Sequence, residues 1–130
     1  MTELEFKNRT KDIALRVIRL VETLPSSHSA QIIGKQLLRS ATSVGANYRA
    51  ACRGKSTADV LHKMAIVEEE ADEAIYWLEL LIESDIVSEK KLSVLVNDIN
   101  EIVAMTVSSI KTLRSNRNGE SKIQNLKSKI

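Results

Sequence analysis

The sequence predicts an all-α protein that folds as an antiparallel, up-down-up-down four-helix bundle. Three observations support this prediction. Apolar residues recur at steps of three and four along four segments, which is the periodicity of amphipathic helices. Aromatic residues are 3% of the chain and there is one proline, a composition that favours helices over strands. The connections between the four segments are short, so consecutive helices should be antiparallel neighbours.

The first helix is predicted over residues 8–24. Ile13, Val17 and Leu20 repeat at alternating steps of four and three residues and form its apolar stripe. Pro25 follows directly, and a residue before proline is disfavoured in a helix, so the helix should end there.

The second helix is predicted over residues 29–53, with Ser27 or Ser29 as its N-cap. It is unusually rich in small residues. Gly34 and Gly45 each cost about 1 kcal/mol of helix propensity relative to alanine. Either a close contact with a neighbouring helix or a local bend would explain why glycine occupies these positions.

The third and fourth helices are predicted from heptad spacing, which is typical of helices packed at shallow angles. The third begins after a capping serine, Ser56, and the fourth runs from Ser88 to about Arg114. The heptad residues of the third are Val60, Met64, Val67, Ala71, Ala74, Leu78 and Leu81. Those of the fourth are Leu92, Leu95, Ile99, Ile102, Thr106, Ser109 and Leu113. Residues 1–115 should form the bundle, and residues 116–130 a basic tail that is flexible or holds one short helix.

Composition favours a cytoplasmic protein with no membrane partner. Cys52 is the single cysteine, so no intrachain disulfide can form, which argues against a secreted disulfide-built domain. The N-terminal residues are acidic and do not resemble a signal peptide. No apolar run approaches the roughly 20 residues that span a bilayer.

Charge is distributed unevenly along a chain whose net charge is +2. The segment Thr23–Ala58 contains no acidic residue, whereas Asp59–Asp85 is strongly acidic. Four cations of the basic segment lie near one side of the second helix: Lys35, Arg39, Arg49 and Arg53. Two uses remain open for them, namely ion pairs with the acidic third helix, or a face that binds the phosphates of RNA or DNA.

Apolar side chains off the core stripe of the third helix predict an oligomer interface. This group consists of Ile66, Tyr76, Trp77 and Leu80. Aromatic anchors are common in contacts between identical subunits. The alternative is that these residues pack in the subunit's own core against the N-terminal Leu4 and Phe6.

No enzymatic site is expected. A di-iron bundle needs two Glu-x-x-His pairs, and only residues 59–62 come near that pattern. Cys52 and His62 could be imagined as a nucleophile and its base, but Gly54 and a helix end separate them, and a lone cysteine is more often a packed small side chain. We therefore expect no catalytic residue, metal, cofactor or small-molecule substrate.

The run Leu37–Tyr48, together with Arg53–Ser56 and the stretch Ala74–Leu81, resembles the proteins encoded by intervening sequences in bacterial 23S rRNA genes. The resemblance covers about residues 6–115. It implies a four-helix bundle that assembles as a ring-shaped homopentamer, in a family whose association with nucleic acid has been inferred from its genomic setting and from a related retroelement accessory protein. Many members have proline where Gly45 stands and glutamate where Ala50 stands.

The sequence therefore predicts a non-enzymatic, homo-oligomeric bundle that binds RNA or DNA through its basic surface. The alternative is a structural or adaptor oligomer that binds another protein through an apolar groove and has no role with nucleic acid. In that case the basic residues should be consumed by ion pairs with the third helix.

Overall fold

The computed structural model describes the backbone of residues 1–128 and the side chains of residues 1–117. It contains four helices and, within the described residues, no strand. The helices are α1 (Glu3–Glu22), α2 (His28–Cys52), α3 (Thr57–Glu83) and α4 (Glu89–Ser128). The predicted all-α four-helix bundle is confirmed.

α1 begins before the predicted start near Asn8 because a capping box defines its first turn. The backbone N–H of Glu5 donates to the Thr2 hydroxyl at 3.1 Å, and the backbone N–H of Thr2 donates to the Glu5 carboxylate at 3.4 Å. Two N–H groups that a helix start leaves unpaired are thereby satisfied. The longer helix carries Lys7 onto the same rigid element as Lys11.

The remaining helix starts follow the predicted caps. Ser27 caps α2 and Ser56 caps α3, each hydroxyl accepting a backbone N–H bond three residues on. Ser88 accepts the N–H of Lys91 at the start of α4.

The end of the fourth helix differs from the prediction. α4 does not stop near Arg114 but continues to Ser128, through a stretch that contains no proline to interrupt its backbone hydrogen bonds. The division into a bundle of residues 1–115 and a tail of residues 116–130 stays a prediction, because most of the tail's side chains lie outside the described residues.

The turn between α3 and α4 is a Schellman motif with an aspartate at its left-handed position. Asp85 has φ 61°. Its N–H donates to the Ile82 carbonyl at 3.0 Å, and the N–H of Ile86 donates to the Leu81 carbonyl, also at 3.0 Å. These two bonds satisfy carbonyls that the helix end leaves free, and they reverse the chain so that α4 returns along α3.

The core lies along the axis of the bundle, and α2 with α3 forms the most extensive helix pair. The heptad positions of α3 from Met64 to Leu81 are buried, as predicted. In α4, Thr106 is fully buried and its hydroxyl donates to the Ile102 carbonyl at 2.7 Å. Ser109, which the same heptad places in the stripe, is exposed. Beyond Thr106 the buried position is Ile110, which packs with Ala51 and Met64 in a second cluster that the half-buried Leu113 adjoins.

The two glycines of α2 lie where α1, or the segment that directly follows it, approaches closely. A Cβ added at Gly45 would stand 3.2 Å from the Thr10 hydroxyl, and one added at Gly34 would stand 2.9 Å from a methyl group of Leu24. Of the two explanations considered for these glycines, the structure supports close contact between helices.

None of the helices within the described residues is long and apolar enough to cross a membrane. The same part of the chain holds no cluster of three or more His, Cys, Asp or Glu side chains that could bind a metal ion.

Candidate nucleic-acid interface

An open groove of about 420 Å³ runs between α1 and α2. Its rims carry four cations, Lys7 and Lys11 on α1 and Arg49 and Arg53 on α2. The other lining residues are uncharged: Leu4, Asn8, Thr10, Ala14, Thr42, Gly45 and Ala46. No carboxylate lines this surface, which we call the basic groove.

Helix periodicity explains why each rim holds a pair of cations. Lys7 and Lys11 are four residues apart, as are Arg49 and Arg53, so each pair lies on one face with about 6 Å of helix rise between its members. The small residues of the floor let α1 and α2 approach, and the cations stand above that floor on either side. The groove is therefore a shallow channel bordered by two short rows of positive charge.

The four rim cations have no ion-pair partner among the described side chains. Two other cations of α1, Arg9 and Arg16, do have partners. Arg16 donates to Asp98 of α4 at 2.6 Å, which raises the pKa of Arg16, and Arg9 pairs with Glu101. Acidic residues of α4 thus neutralise one side of α1, while the side that faces α2 keeps its charge.

The structure separates the four cations that the sequence grouped on α2. Arg49 and Arg53 line the basic groove, whereas Arg39 turns towards α3 and donates to both carboxylate oxygens of Glu73 at 2.8 Å. Hydrogen bonding to Glu73 is the main reason that the pKa of Arg39 is raised. Lys35 is exposed but does not line the groove, being about 21 Å of helix rise away from Arg49.

Lys7 and Lys11 are groove residues that the sequence analysis missed. Their spacing of four residues was a visible signal of a shared face. The sequence did not show that this face borders α2, because that depends on how the helices pack.

The predicted interface residues of α3 form a partly exposed surface. Tyr76 is 52% exposed, and its ring meets the ring of Trp77 edge-on at 5.1 Å between centroids. Trp77 is half-buried and packs against the core of its own subunit, and Ile66 and Leu80 are also half-buried. The indole N–H of Trp77 is buried and has no hydrogen-bond acceptor among the side chains and backbone that the structure describes.

The N-terminal residues Leu4 and Phe6 do not pack over these α3 residues, which was the alternative considered from the sequence. Phe6 is buried against Tyr48, with 4.1 Å between the two ring centroids, and Leu4 is 66% exposed. The surface around Tyr76 therefore remains open in the single subunit.

A second unpartnered polar atom lies on the same helix. Glu70, seven residues before Trp77 and hence on the same face of α3, has one buried carboxylate oxygen without a hydrogen-bond donor. Burial raises the pKa of Glu70, and the Arg39 guanidinium, 3.5 Å from its other oxygen, opposes that rise. The face of α3 from Ile66 to Leu80 thus holds one donor and one acceptor that the subunit leaves unsatisfied.

A further cavity, of about 450 Å³, lies at the end of the bundle where α2 ends and α3 begins, and Cys52, Tyr48 and Glu3 are among its lining residues. Burial raises the pKa of the Cys52 thiol, which is the opposite of what a reactive thiolate requires. Burial also raises the pKa of Tyr48. His62 is exposed and does not line the cavity, so the cavity lacks the base of a Cys–His pair.

Comparison with known proteins assigns the chain to a family. The model of the 23S rRNA-intervening sequence protein family matches residues 2–108. The chain belongs to the 23S rRNA-intervening sequence protein family. The matched residues span α1, α2, α3 and the first half of α4, so the whole basic groove falls within the family region.

A solved structure similar to this family member is the crystal structure of a protein of unknown function from the S23 ribosomal protein family of Bacteroides thetaiotaomicron. It superposes with a TM-score of 0.79 at 36% sequence identity, and the match covers 85% of this chain and 99% of the other. Comparison with curated proteins gives no match.

Proposed function

We propose that this member of the 23S rRNA-intervening sequence protein family is a non-enzymatic, homo-oligomeric bundle that binds the phosphate backbone of RNA or DNA. The observation that carries the proposal is the basic groove, where Lys7, Lys11, Arg49 and Arg53 face one channel without a carboxylate among its lining residues. A cytoplasmic location remains a prediction.

Unpaired cations are what a phosphate contact needs. A nucleic acid that enters the groove exchanges its condensed counterions for lysine and arginine side chains, and release of those ions drives binding. Arginine also offers a planar fork that matches two phosphate oxygens. A cation such as Arg39, already bound by Glu73, would have to give up that partner first.

The topology adds further positive charge at the same end of the bundle. α1 begins, α2 ends, α3 begins and the later turns of α4 pass there, because the helices alternate in direction. Exposed cations at this end are Lys55, Lys111, Arg114 and Arg117, near the acidic Glu3, Glu5 and Asp59. Phosphates that leave the groove would meet these cations next.

The test is a salt titration of RNA binding by the double variant Lys7→Gln with Lys11→Gln. Each lost phosphate contact lowers the slope of log K against log salt by about 1, so the slope should fall by about 2 and the affinity with it. The matched control is Lys90→Gln with Lys91→Gln, which removes the same charge from exposed positions at the other end of the bundle. Equal losses in both variants, or no RNA binding by the unaltered protein at low salt, would contradict the proposal.

Self-association is proposed to use the face of α3 that holds Ile66, Tyr76, Trp77 and Leu80, and the family resemblance implies a pentamer. Exposed and half-buried aromatic rings on this face support it, as does the buried indole N–H of Trp77, for which a neighbouring copy could provide an acceptor.

Trp77→Ala should lower the mass measured by light scattering while the protein stays helical by circular dichroism. Val94→Ala, a truncation of a residue that is 64% exposed on α4, serves as the control and should leave the mass unchanged. A Trp77→Ala protein that keeps the mass of the unaltered assembly would remove this face from the interface.

The alternative function is an adaptor oligomer that binds another protein through an apolar groove. Exposed apolar side chains on α1 and α2 favour it, since Leu15 is 42%, Ile18 40% and Ile32 48% exposed. It also requires that α3 consume the cations of α2, and among the four only Arg39 has such a partner within the described side chains. This observation makes nucleic acid the preferred partner.

A further inference from the structure

We infer that the basic groove takes double-stranded nucleic acid in preference to a single strand and contacts its backbone without reading its bases. This inference rests on the proposed function and names the class of nucleic acid that the same site would hold.

The first argument is the placement of the aromatic residues. Proteins that hold single strands stack bases on aromatic side chains, and each stack raises the affinity by about tenfold or more. The chain has four such residues, Phe6, Tyr48, Tyr76 and Trp77. The first two stack on each other at 4.1 Å and the last two lie on α3, so none lines the groove.

The second argument is the closed floor of the groove. At Gly45 the two helices approach so closely that an added Cβ would stand 3.2 Å from the Thr10 hydroxyl. At this level no slot opens between α1 and α2. The channel therefore has a closed floor, which favours contact with a ridge of backbone.

The third argument is the scarcity of uncharged groups that could read base edges in an RNA duplex, whose deep, narrow major groove also keeps lysine and arginine from the base edges. The hydroxyls of Thr10 and Thr42 donate to the carbonyls of Lys7 and Leu38, at 3.0 and 2.7 Å. Asn8 carries the one side-chain amide among the lining residues. Sequence-specific recognition depends on hydrogen bonds to base edges, so contacts in this groove should be almost independent of sequence.

The fourth argument is charge density. A duplex carries one negative charge per roughly 1.7 Å of axis, and its counterions contribute more to the salt dependence than those of a single strand. A single strand must also lose conformational freedom to lie in the groove, and no stacking offsets that cost. Two rows of cations without aromatic residues therefore suit a rigid duplex.

The experiment measures, by fluorescence anisotropy at one salt concentration, the affinity for a uridine-only strand and for its duplex with an adenosine-only strand. The duplex should bind about tenfold or more tightly, the equivalent of a single missing stack. A G·C duplex of equal length should bind within about twofold of the A·U duplex. A strand that binds as tightly as its duplex, with the salt dependence intact, would overturn this inference and leave the proposed function standing.

Variants locate the preference in the groove. Lys7→Gln with Lys11→Gln should weaken duplex binding, whereas Lys90→Gln with Lys91→Gln should not. Ala46→Trp, at an exposed position of the groove, supplies the missing stacking surface. It should raise the affinity for the single strand and so reduce the ratio of duplex affinity to single-strand affinity. If the duplex preference were unchanged after loss of both groove lysines, its site would lie outside the groove, and the inference would be overturned. No binding of either probe would overturn the proposed function as well.

Discussion

The two flanks of α2 put similar residues to different uses. On the flank facing α3, Arg39 is held by Glu73 and approached by Glu70, in the most extensively packed helix pair of the bundle. On the flank facing α1, Arg49 and Arg53 lie opposite two lysines, with small residues between them, and no carboxylate is among the residues that line the groove. The arginine on the α3 flank links two helices through an ion pair, whereas the arginines on the α1 flank remain available to bind an anion.

The difference shows that the partner helix decides what a cation can do. α3 offers acids where α2 offers Arg39, and α4 offers Asp98 where α1 offers Arg16. Along α1 and α2, where two basic faces meet, a charged channel remains. The availability of a cation is therefore a property of a helix pair and cannot be assigned to a single helix.

The largest effect is expected from removing packing at the buried face of α3. Leu78→Ala, at a fully buried position of α3, should lower the free energy of unfolding by about 2–5 kcal/mol through lost burial and the cavity left behind. Urea denaturation measures it, with Val94→Ala as an exposed control expected within about 0.5 kcal/mol of the unaltered protein. Equal costs for the two truncations would contradict the assignment of stability to the buried face of α3.

A charge reversal on each flank should separate the two roles of arginine. Arg39→Glu puts a third carboxylate beside Glu70 and Glu73 and should lower the thermal midpoint while RNA affinity holds. Arg49→Glu places an acid opposite the groove lysines, so it should leave the midpoint nearly unchanged and weaken RNA binding. If the two variants had the same pattern of effects, the flanks would not differ as described.

The smallest effect concerns pH and the buried carboxyl of Glu70. Because its folded-state pKa is raised, the folded protein holds more protons than the unfolded chain between the ordinary and the raised pKa, and stability falls as pH rises through that window. Glu70→Gln should therefore raise the thermal midpoint at neutral pH, and the gain should vanish below the ordinary pKa of glutamate. Glu69→Gln, which removes the same charge at an exposed neighbouring position, is the control. If the rise in thermal midpoint stayed the same at acidic pH, titration of Glu70 would not be its cause.

The sequence was sufficient to predict the bundle because heptad spacing in α3 and the early turns of α4 leaves one way to bury each stripe. It was less informative at the helix ends. The start of α1 was missed although Thr2 and Glu5 form a recognisable capping box. α4 runs past Arg114 because a gradual loss of apolar residues does not itself stop a helix.

The sequence predicted only part of the candidate site, because the packing of the helices decides which cations line the groove. The acid-free stretch of α2 pointed to Arg49 and Arg53, which line the groove, but also to Arg39, which α3 engages. Lys7 and Lys11 complete the groove from a helix whose orientation towards α2 only the packing reveals. One-dimensional charge patterns identify basic segments, whereas the partition between paired and available cations follows from contacts across helices.

The single tryptophan has a practical consequence. Trp77 is the one indole of the chain and lies half-buried on α3, which contributes no residue to the groove. Its emission should therefore shift when neighbouring copies cover or leave α3 and stay constant when a polyanion occupies the channel. The protein carries an intrinsic optical reporter that can follow assembly and ligand occupancy as separate events in one cuvette.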